Sequence, residues 1–205
     1  NKDGIVEKWL EKNDYFEAFN PLWNDNLNSR NEGKNVSLSN YFVAEYFPTQ
    51  EWRIRARLGI TYGNNDAEVF YSPEDTRFED TEVLKKGEYT STNTRLNQTE
   101  GELSVTWAKI LGGHRINLVA GGNFNASKSL VQGYSVQGFP NGDFTYPSFS
   151  NGYPEHGVPT FYESVSRSLN GYFNVGYSFD DRYLMDFSLR SSGSSVFGSS
   201  KKYNT

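Results

Sequence analysis

Six stretches of the chain alternate apolar and polar residues with a period of two, the pattern of strands with one greasy and one wet face. In "VSLSNYFVAEY", Val36, Leu38, Phe42, Ala44 and Tyr46 share a face, with Asn40 the exception. In "WRIRARLGITY", Trp52, Ile54, Ala56, Leu58, Ile60 and Tyr62 face one way and Arg53, Arg55 and Arg57 the other. A weaker third stretch sets Leu103, Val105 and Trp107 against Glu100, Glu102, Ser104 and Thr106. The fourth, "INLVAGGNF", aligns Ile116, Leu118, Ala120, Gly122 and Phe124. The fifth and sixth form a hairpin around Asp180-Asp181-Arg182, with Leu169, Phe173, Val175, Tyr177 and Phe179 before it and Tyr183, Met185, Phe187 and Leu189 after it. Each stretch is about eleven residues or slightly shorter, near the length of a strand that crosses a bilayer.

The connections alternate in length. "FPTQE", "KILGGHR" and "DDR" are short, whereas residues 63–94 and 127–163 form long loops. Long loops without structure of their own are uncommon in compact domains and usually carry function. In an up-and-down barrel of an outer membrane, short turns on one side and long loops on the other are the rule. Aromatic residues gather at the short-turn ends: Tyr46, Phe47, Trp52, Trp107, Tyr177, Phe179 and Tyr183. Membrane barrels carry such girdles where the apolar band meets headgroups. No Asp, Glu, Lys or Arg falls on the greasy face of any of the six stretches. The opposite face carries Glu45, Arg53, Arg55, Arg57, Glu100, Glu102, Asp186 and Arg190. A soluble sheet packed on a core also keeps one face clean, so the face alone does not separate lipid from core. Strand length, girdle and loop alternation favour lipid. The expected fold is all-β: an antiparallel up-and-down meander of about six long strands, a partial transmembrane β-barrel with long external loops.

Composition supports this reading. The chain has 205 residues, 36% hydrophobic and 16% aromatic, with a mean hydropathy of −0.71. No apolar run approaches the roughly 20 residues of a spanning helix. The net charge of −5 and the lack of a basic block speak against nucleic acid as a partner. The chain contains no Cys, which excludes disulfides, thiolate catalysis and thiolate metal sites. Residues 1–35 show no strand pattern; "GIVEKWLEK" suits a short helix and the Asn-rich remainder reads as the end of an external loop.

Candidate chemistry is sparse. "GGNFNASKS" resembles a phosphate-binding loop but has Ser127 where the motif needs Gly, and no helical pattern follows. The plainer reading is a strand leaving the sheet. His114 in a tight turn and His156 in a long loop have no clustered partners for a metal. No cofactor motif is present. Glu100 and Glu102 share a face and form the only carboxylate pair suited to glycoside hydrolysis; on a lumen wall they pair with charges or water. The row Arg53, Arg55, Arg57 reads as an ion-paired lumen wall, or as a contact for an acidic group on a plug or solute. The long loops are rich in aromatic residues; Phe139, Tyr146, Phe149 and Tyr153 are candidates to stack on sugar faces, or else they pack the loops together. A soluble β-sandwich lectin or adhesin and an all-β glycoside hydrolase are the alternatives from other classes.

"DDRYLMDFSLRSSGSSVFGSSKKY" resembles a signature of the SusC/RagA-like TonB-dependent transporters of Bacteroidetes outer membranes. Arg190, Gly193, Ser194, Ser195, Phe197 and Gly198 match it, and Ser192 stands where the family usually has Asp. "NPLW", "HRINLVAGGNF" and "NGYPEHGVPTFYESVSRSLNGYFNVGY" also resemble the family, so the likeness runs from about Asn20 onward. The resemblance implies a 22-stranded barrel holding an N-terminal plug, a SusD-like surface lipoprotein as lid, and import of oligosaccharides, less often peptides, driven through the TonB complex. It implies a chain divided into residues 1–35, the end of an extracellular loop, and 36–205, part of the barrel without its plug. Lipid, the lipoprotein, TonB and the solute are then the partners, and no enzymatic step is expected.

Overall fold

The computed structural model describes residues 6–12, 17–195 and 203–204. A two-stranded hairpin, β1 (Trp9–Lys12) and β2 (Glu17–Phe19), leads into a short helix, α1 (Pro21–Asp25). Six long strands follow: β3 (Arg30–Tyr46), β4 (Trp52–Tyr71), β5 (Glu88–Leu111), β6 (His114–Gln137), β7 (Thr160–Phe179) and β8 (Tyr183–Ser194). A two-residue strand, β9 (Tyr203–Asn204), pairs antiparallel with β8. Sheet order follows chain order from β3 to β9, which is an open meander. The expected antiparallel meander of six long strands is thus what the chain forms.

The helix expected in "GIVEKWLEK" is not formed; Trp9–Lys12 is a strand. Trp9 pairs with Phe19 across the hairpin, and their rings stack at 4.3 Å. Lys12 lies 4.0 Å from the centre of the Trp9 ring. A four-residue segment gains little from helical hydrogen bonding, and cross-strand aromatic pairing decides the matter. Asn20 caps α1 by accepting from the Leu22 N–H at 3.1 Å, and Pro21 occupies the first turn.

The strands also run well beyond the alternating stretches. Between β4 and β5 only residues 72–87 remain outside them, and between β6 and β7 only 138–159. "GGNFNASKS" lies inside β6 rather than leaving the sheet, so its backbone is extended and forms no phosphate cradle. The extensions escape a periodicity search because both of their faces carry polar residues. The β7–β8 connection is tight: Asp180 and Asp181 have φ of 48° and 54°, and the Arg182 N–H reaches the Phe179 carbonyl at 3.0 Å. Asp tolerates the left-handed region that such a hairpin turn demands.

The chain divides into two compact units: Asn1–Val36 with Asn64–Thr94 and Val131–Tyr162, and Ser37–Gly63 with Arg95–Leu130 and Glu163–Thr205. The first contains the one apolar core among the described residues. Phe70, Tyr89, Val136 and Phe139 are buried there, with Tyr134 against them. Phe70 and Phe139 meet edge-on at 5.1 Å. Gly87 and Gly138, both near φ +80°, bring two loops together through a 3.1 Å hydrogen bond from the Gly138 N–H to the Gly87 carbonyl. The second unit has no buried apolar side chain among its described residues, yet it displays Leu38, Phe42, Tyr46, Leu58, Ile60, Leu103, Phe173, Met185, Phe187 and Leu189 to the outside. An apolar patch of this extent is far larger than a soluble monomer leaves bare.

Candidate functional site: a two-faced barrel wall

The second unit has two chemically opposite faces. On the apolar face Trp52 and Trp107 approach to 6.3 Å at the short-turn end. His114, the first residue of β6, hydrogen-bonds the Tyr177 hydroxyl through Nδ1 at 2.7 Å and lies 4.7 Å from the Phe179 ring. The histidine is therefore part of the aromatic girdle, not merely a solvated turn residue. Its even spacing from Ile116 and Leu118 is the signal that could have revealed this.

The apolar face changes character at a consistent height. On β4 it runs from Trp52 to Tyr62 and then turns to Asn64 and Asp66. On β6 it runs from Ile116 to Ala126 and turns to Lys128; on β7 it runs from Phe179 back to Leu169 and turns to Arg167. Each band is about eleven residues, or about 33 Å along a strand rising roughly 3.3 Å per residue. At the roughly 40° tilt of membrane barrels this gives a height of about 25 Å, the thickness of the apolar band of such barrels.

The polar face is a connected wall. Glu45 accepts from Arg53 at 2.5 Å and lies 3.5 Å from Arg55. Arg57 pairs with Glu100 at 3.0 Å while its guanidinium lies 4.5 Å from the centre of the Tyr41 ring. The Tyr172 hydroxyl donates to Glu102 at 3.2 Å, and Asn170 donates to Asn123 at 2.7 Å. The arginine row is thus ion-paired within the wall, and both members of the Glu100/Glu102 pair are engaged by neighbours. On β8, Arg190 stands opposite Tyr172 and Asp186 opposite Gly176; neither makes a salt bridge among the described residues. No group of described residues is arranged to hold a metal ion.

Two aromatic rings lie flat on glycines of the adjacent strand, contacts that the single-strand pattern did not reveal. A Cβ on Gly59 would come within 2.7 Å of the Tyr41 ring, and one on Gly121 within 2.6 Å of the Tyr172 ring. Short hairpin connections fix the register, so an aromatic opposite a strand glycine is the signal that could have found them.

Of the loop aromatics proposed for solute contact, Phe139 is a correction: it is 3% exposed and belongs to the loop core, so its ring is not offered to a ligand. Tyr146, Phe149 and Tyr153 are exposed, and Phe149 packs edge-on against Phe144 at 4.9 Å. In the family signature, Arg190, Gly193 and Ser194 lie on β8 and Ser195 follows it, its N–H donating to the Arg167 carbonyl at 2.8 Å. Phe197 and Gly198 lie outside the described residues.

A sandwich would need a second sheet across the apolar face; the described residues form one large sheet and a small hairpin. A two-faced antiparallel meander with a band of bilayer height is the wall of an outer-membrane β-barrel. Comparison with known proteins sharpens the class. No protein-family model matches the chain. It is 25% identical over 188 residues to TonB-dependent receptor P26 of Formosa agariphila, covering 90% of this chain and 18% of that protein. Its fold matches the RagAB peptide transporter (TM-score 0.79, 18% identity, 92% of this chain and 20% of that one). It also matches the RagAB peptide importer in the open-open state (TM-score 0.81, 17% identity, 98% and 22%). A more distant match is the siderophore receptor PiuA from Acinetobacter baumannii (TM-score 0.52, 14% identity, 85% and 28%). The chain spans about a fifth of the length of these relatives. It is a SusC/RagA-like segment of a TonB-dependent transporter barrel, and its place is the outer membrane.

Proposed function

We propose that this chain forms part of the wall of a TonB-dependent importer whose cargo is too large for simple diffusion, oligosaccharides in the first place and peptides in the second. The observation that carries the reading is the two-faced second unit: an apolar band of bilayer height on one side and a hydrogen-bonded wall of Arg, Glu, Tyr and Asn on the other. The residues Arg53, Arg55, Arg57, Glu100, Glu102, Asp186 and Arg190 then face the lumen. There they meet a plug that TonB pulls on, and they line the route of the solute. The function is binding and passage rather than bond breaking, in keeping with relatives named as receptors and transporters.

The residues 72–87 and 138–159 form the extracellular rim, with residues 1–35 as part of it. A SusD-like lipoprotein is the proposed lid over this rim. Exposed Tyr146, Phe149 and Tyr153, set among Asn141, Asp143 and Asn151, supply flat rings and amide or carboxylate groups suited to sugar faces and hydroxyls. Deleting the gene for the full-length transporter should abolish growth on a particular glycan while leaving growth on its monosaccharide intact. Loss of growth on peptides alone would assign peptide cargo, and unchanged growth on every polymer would sink the importer reading.

A further inference from the structure

Just above the apolar band, the same outward face of the second unit carries Arg95 on β5, Lys128 on β6 and Arg167 on β7. Their placement follows from strand parity. Phe124 lies over Gly101, so both are on the outward face, and Arg95 and Lys128 lie at even spacings from them. Arg167 is two residues from the exposed Leu169. The 3.0 Å pair between Lys128 and Glu163 confirms that β6 and β7 share this face at this height. All three basic residues are exposed, and neither Arg95 nor Arg167 has an ion-pair partner for its side chain among the described residues. An arginine whose head lies within about 7 Å of the end of an apolar band, as two strand residues allow, sits where lipid headgroups begin.

We propose that Arg95, Lys128 and Arg167 form a binding surface for the phosphate groups of an outer-leaflet lipid, with its acyl chains lying on Leu103, Phe124 and Leu169. Charge complementarity selects the headgroup: three cations face one carboxylate, Glu163, which leaves an excess of positive charge on three adjacent strands. Arg forks and a Lys point charge match phosphate oxygens, and continuity with the apolar band selects a lipid over a soluble anion. The bound molecule is therefore a phosphorylated saccharolipid of the lipid A type.

The inference rests on the reading of the apolar face as lipid-facing, and the experiment separates the two. The full-length transporter is placed in phosphatidylcholine nanodiscs with bisphosphorylated lipid A, with fully dephosphorylated lipid A, or with inorganic phosphate alone. Lipid A retained per barrel is measured by native mass spectrometry, and quenching of the Trp52 fluorescence by brominated lipid is read on the same samples. The expected result is retention of the phosphorylated lipid only. Retention should fall roughly thirtyfold in the triple variant Arg95→Gln, Lys128→Gln, Arg167→Gln, each cation near a membrane surface contributing modestly and Glu163 offsetting one of them. Arg95→Lys with Arg167→Lys in an otherwise natural chain should restore most of it. Equal retention of both lipids, or a triple variant that holds lipid A as well as the natural chain, overturns the proposal. Absence of Trp52 quenching overturns the lipid-facing reading instead.

Discussion

Replacing Leu58 by Arg introduces a charge at a position the structure places well inside the bilayer. Leu58 is 41% exposed on the apolar face of β4, between Trp52 and Tyr62. The nearer end of the band, at Tyr62, is four residues away, about 13 Å along the strand and about 10 Å in depth at a tilt of roughly 40°. An arginine side chain that snorkels some 6 Å still leaves its head within hydrocarbon, so Leu58→Arg falls near the upper end of the roughly 2–4 kcal/mol measured for lipid-facing cations at the midplane. The mirror change, Arg55→Leu, removes one exposed contact to Glu45 that is 3.5 Å long, and Arg53 continues to hold that carboxylate at 2.5 Å. Exposed pairs contribute about 0–1 kcal/mol. The two substitutions sit three residues apart on one strand and should differ by about 2–3 kcal/mol. The assay is guanidinium-driven unfolding of the full-length barrel in lipid vesicles, followed by heat-modifiable gel mobility. Equal unfolding midpoints for the two variants would refute a lipid-facing Leu58.

Other expectations follow from the same geometry. Gly59→Val should destabilise the barrel by about 1–3 kcal/mol, because its side chain must displace the Tyr41 ring; Tyr41→Ala in the same background should recover part of the loss, and an unfolding midpoint unmoved by Gly59→Val would contradict the contact. Phe139→Ala removes a ring from the loop core, at a cost of about 3–5 kcal/mol to that unit. Limited proteolysis should then cut within 138–159 while the barrel keeps its gel mobility, and a change in solute affinity without loop cleavage would reinstate Phe139 as a ligand residue. Burial, with the Glu68 carboxylate beside it, pushes the Tyr89 phenol up to about 12. Its folded value is above that of an unfolded tyrosine, so its contribution to stability is complete below about pH 10 and fades as pH rises toward 12. Ultraviolet titration of the natural chain against Tyr89→Phe should show this late phenol, and a difference spectrum centred at pH 10 would count against its burial. Lys8 hydrogen-bonds Glu79 and holds that carboxyl below its usual range. Lys8→Met should return the Glu79 titration, followed by NMR of the carboxyl carbon, to the range of an ordinary glutamate.

The alternation of side chains determined a great deal by itself. A period of two over about eleven residues can satisfy only a strand with unlike faces. The clean apolar sets around Leu58 and Phe187, together with the three short turns, were enough to specify an antiparallel meander and which side of it avoids charge. The row Arg53, Arg55, Arg57 was legible as one face, but its partners were not. Glu45 comes from the preceding strand and Glu100 from the next, and pairing depends on register. Hairpin stacking of Trp9 on Phe19 overrode a weak helical pattern in the same way, through a contact made across the chain rather than along it.

Tertiary structure alone decided where each strand ends. Beyond Tyr62, Ala126 and Leu169 both faces become polar, so periodicity falls silent although the hydrogen-bonded ladder continues to Tyr71, Gln137 and Thr160. It also separated the loop aromatics. Phe139 and Tyr153 have the same chemistry and lie in similar Gly- and Asn-rich surroundings, yet one is enclosed by Phe70, Tyr89 and Val136 and the other is open to solvent. Side-chain chemistry is local and can be read one residue at a time. Enclosure depends on which distant segments fold over a ring, and only the assembled loops supply that.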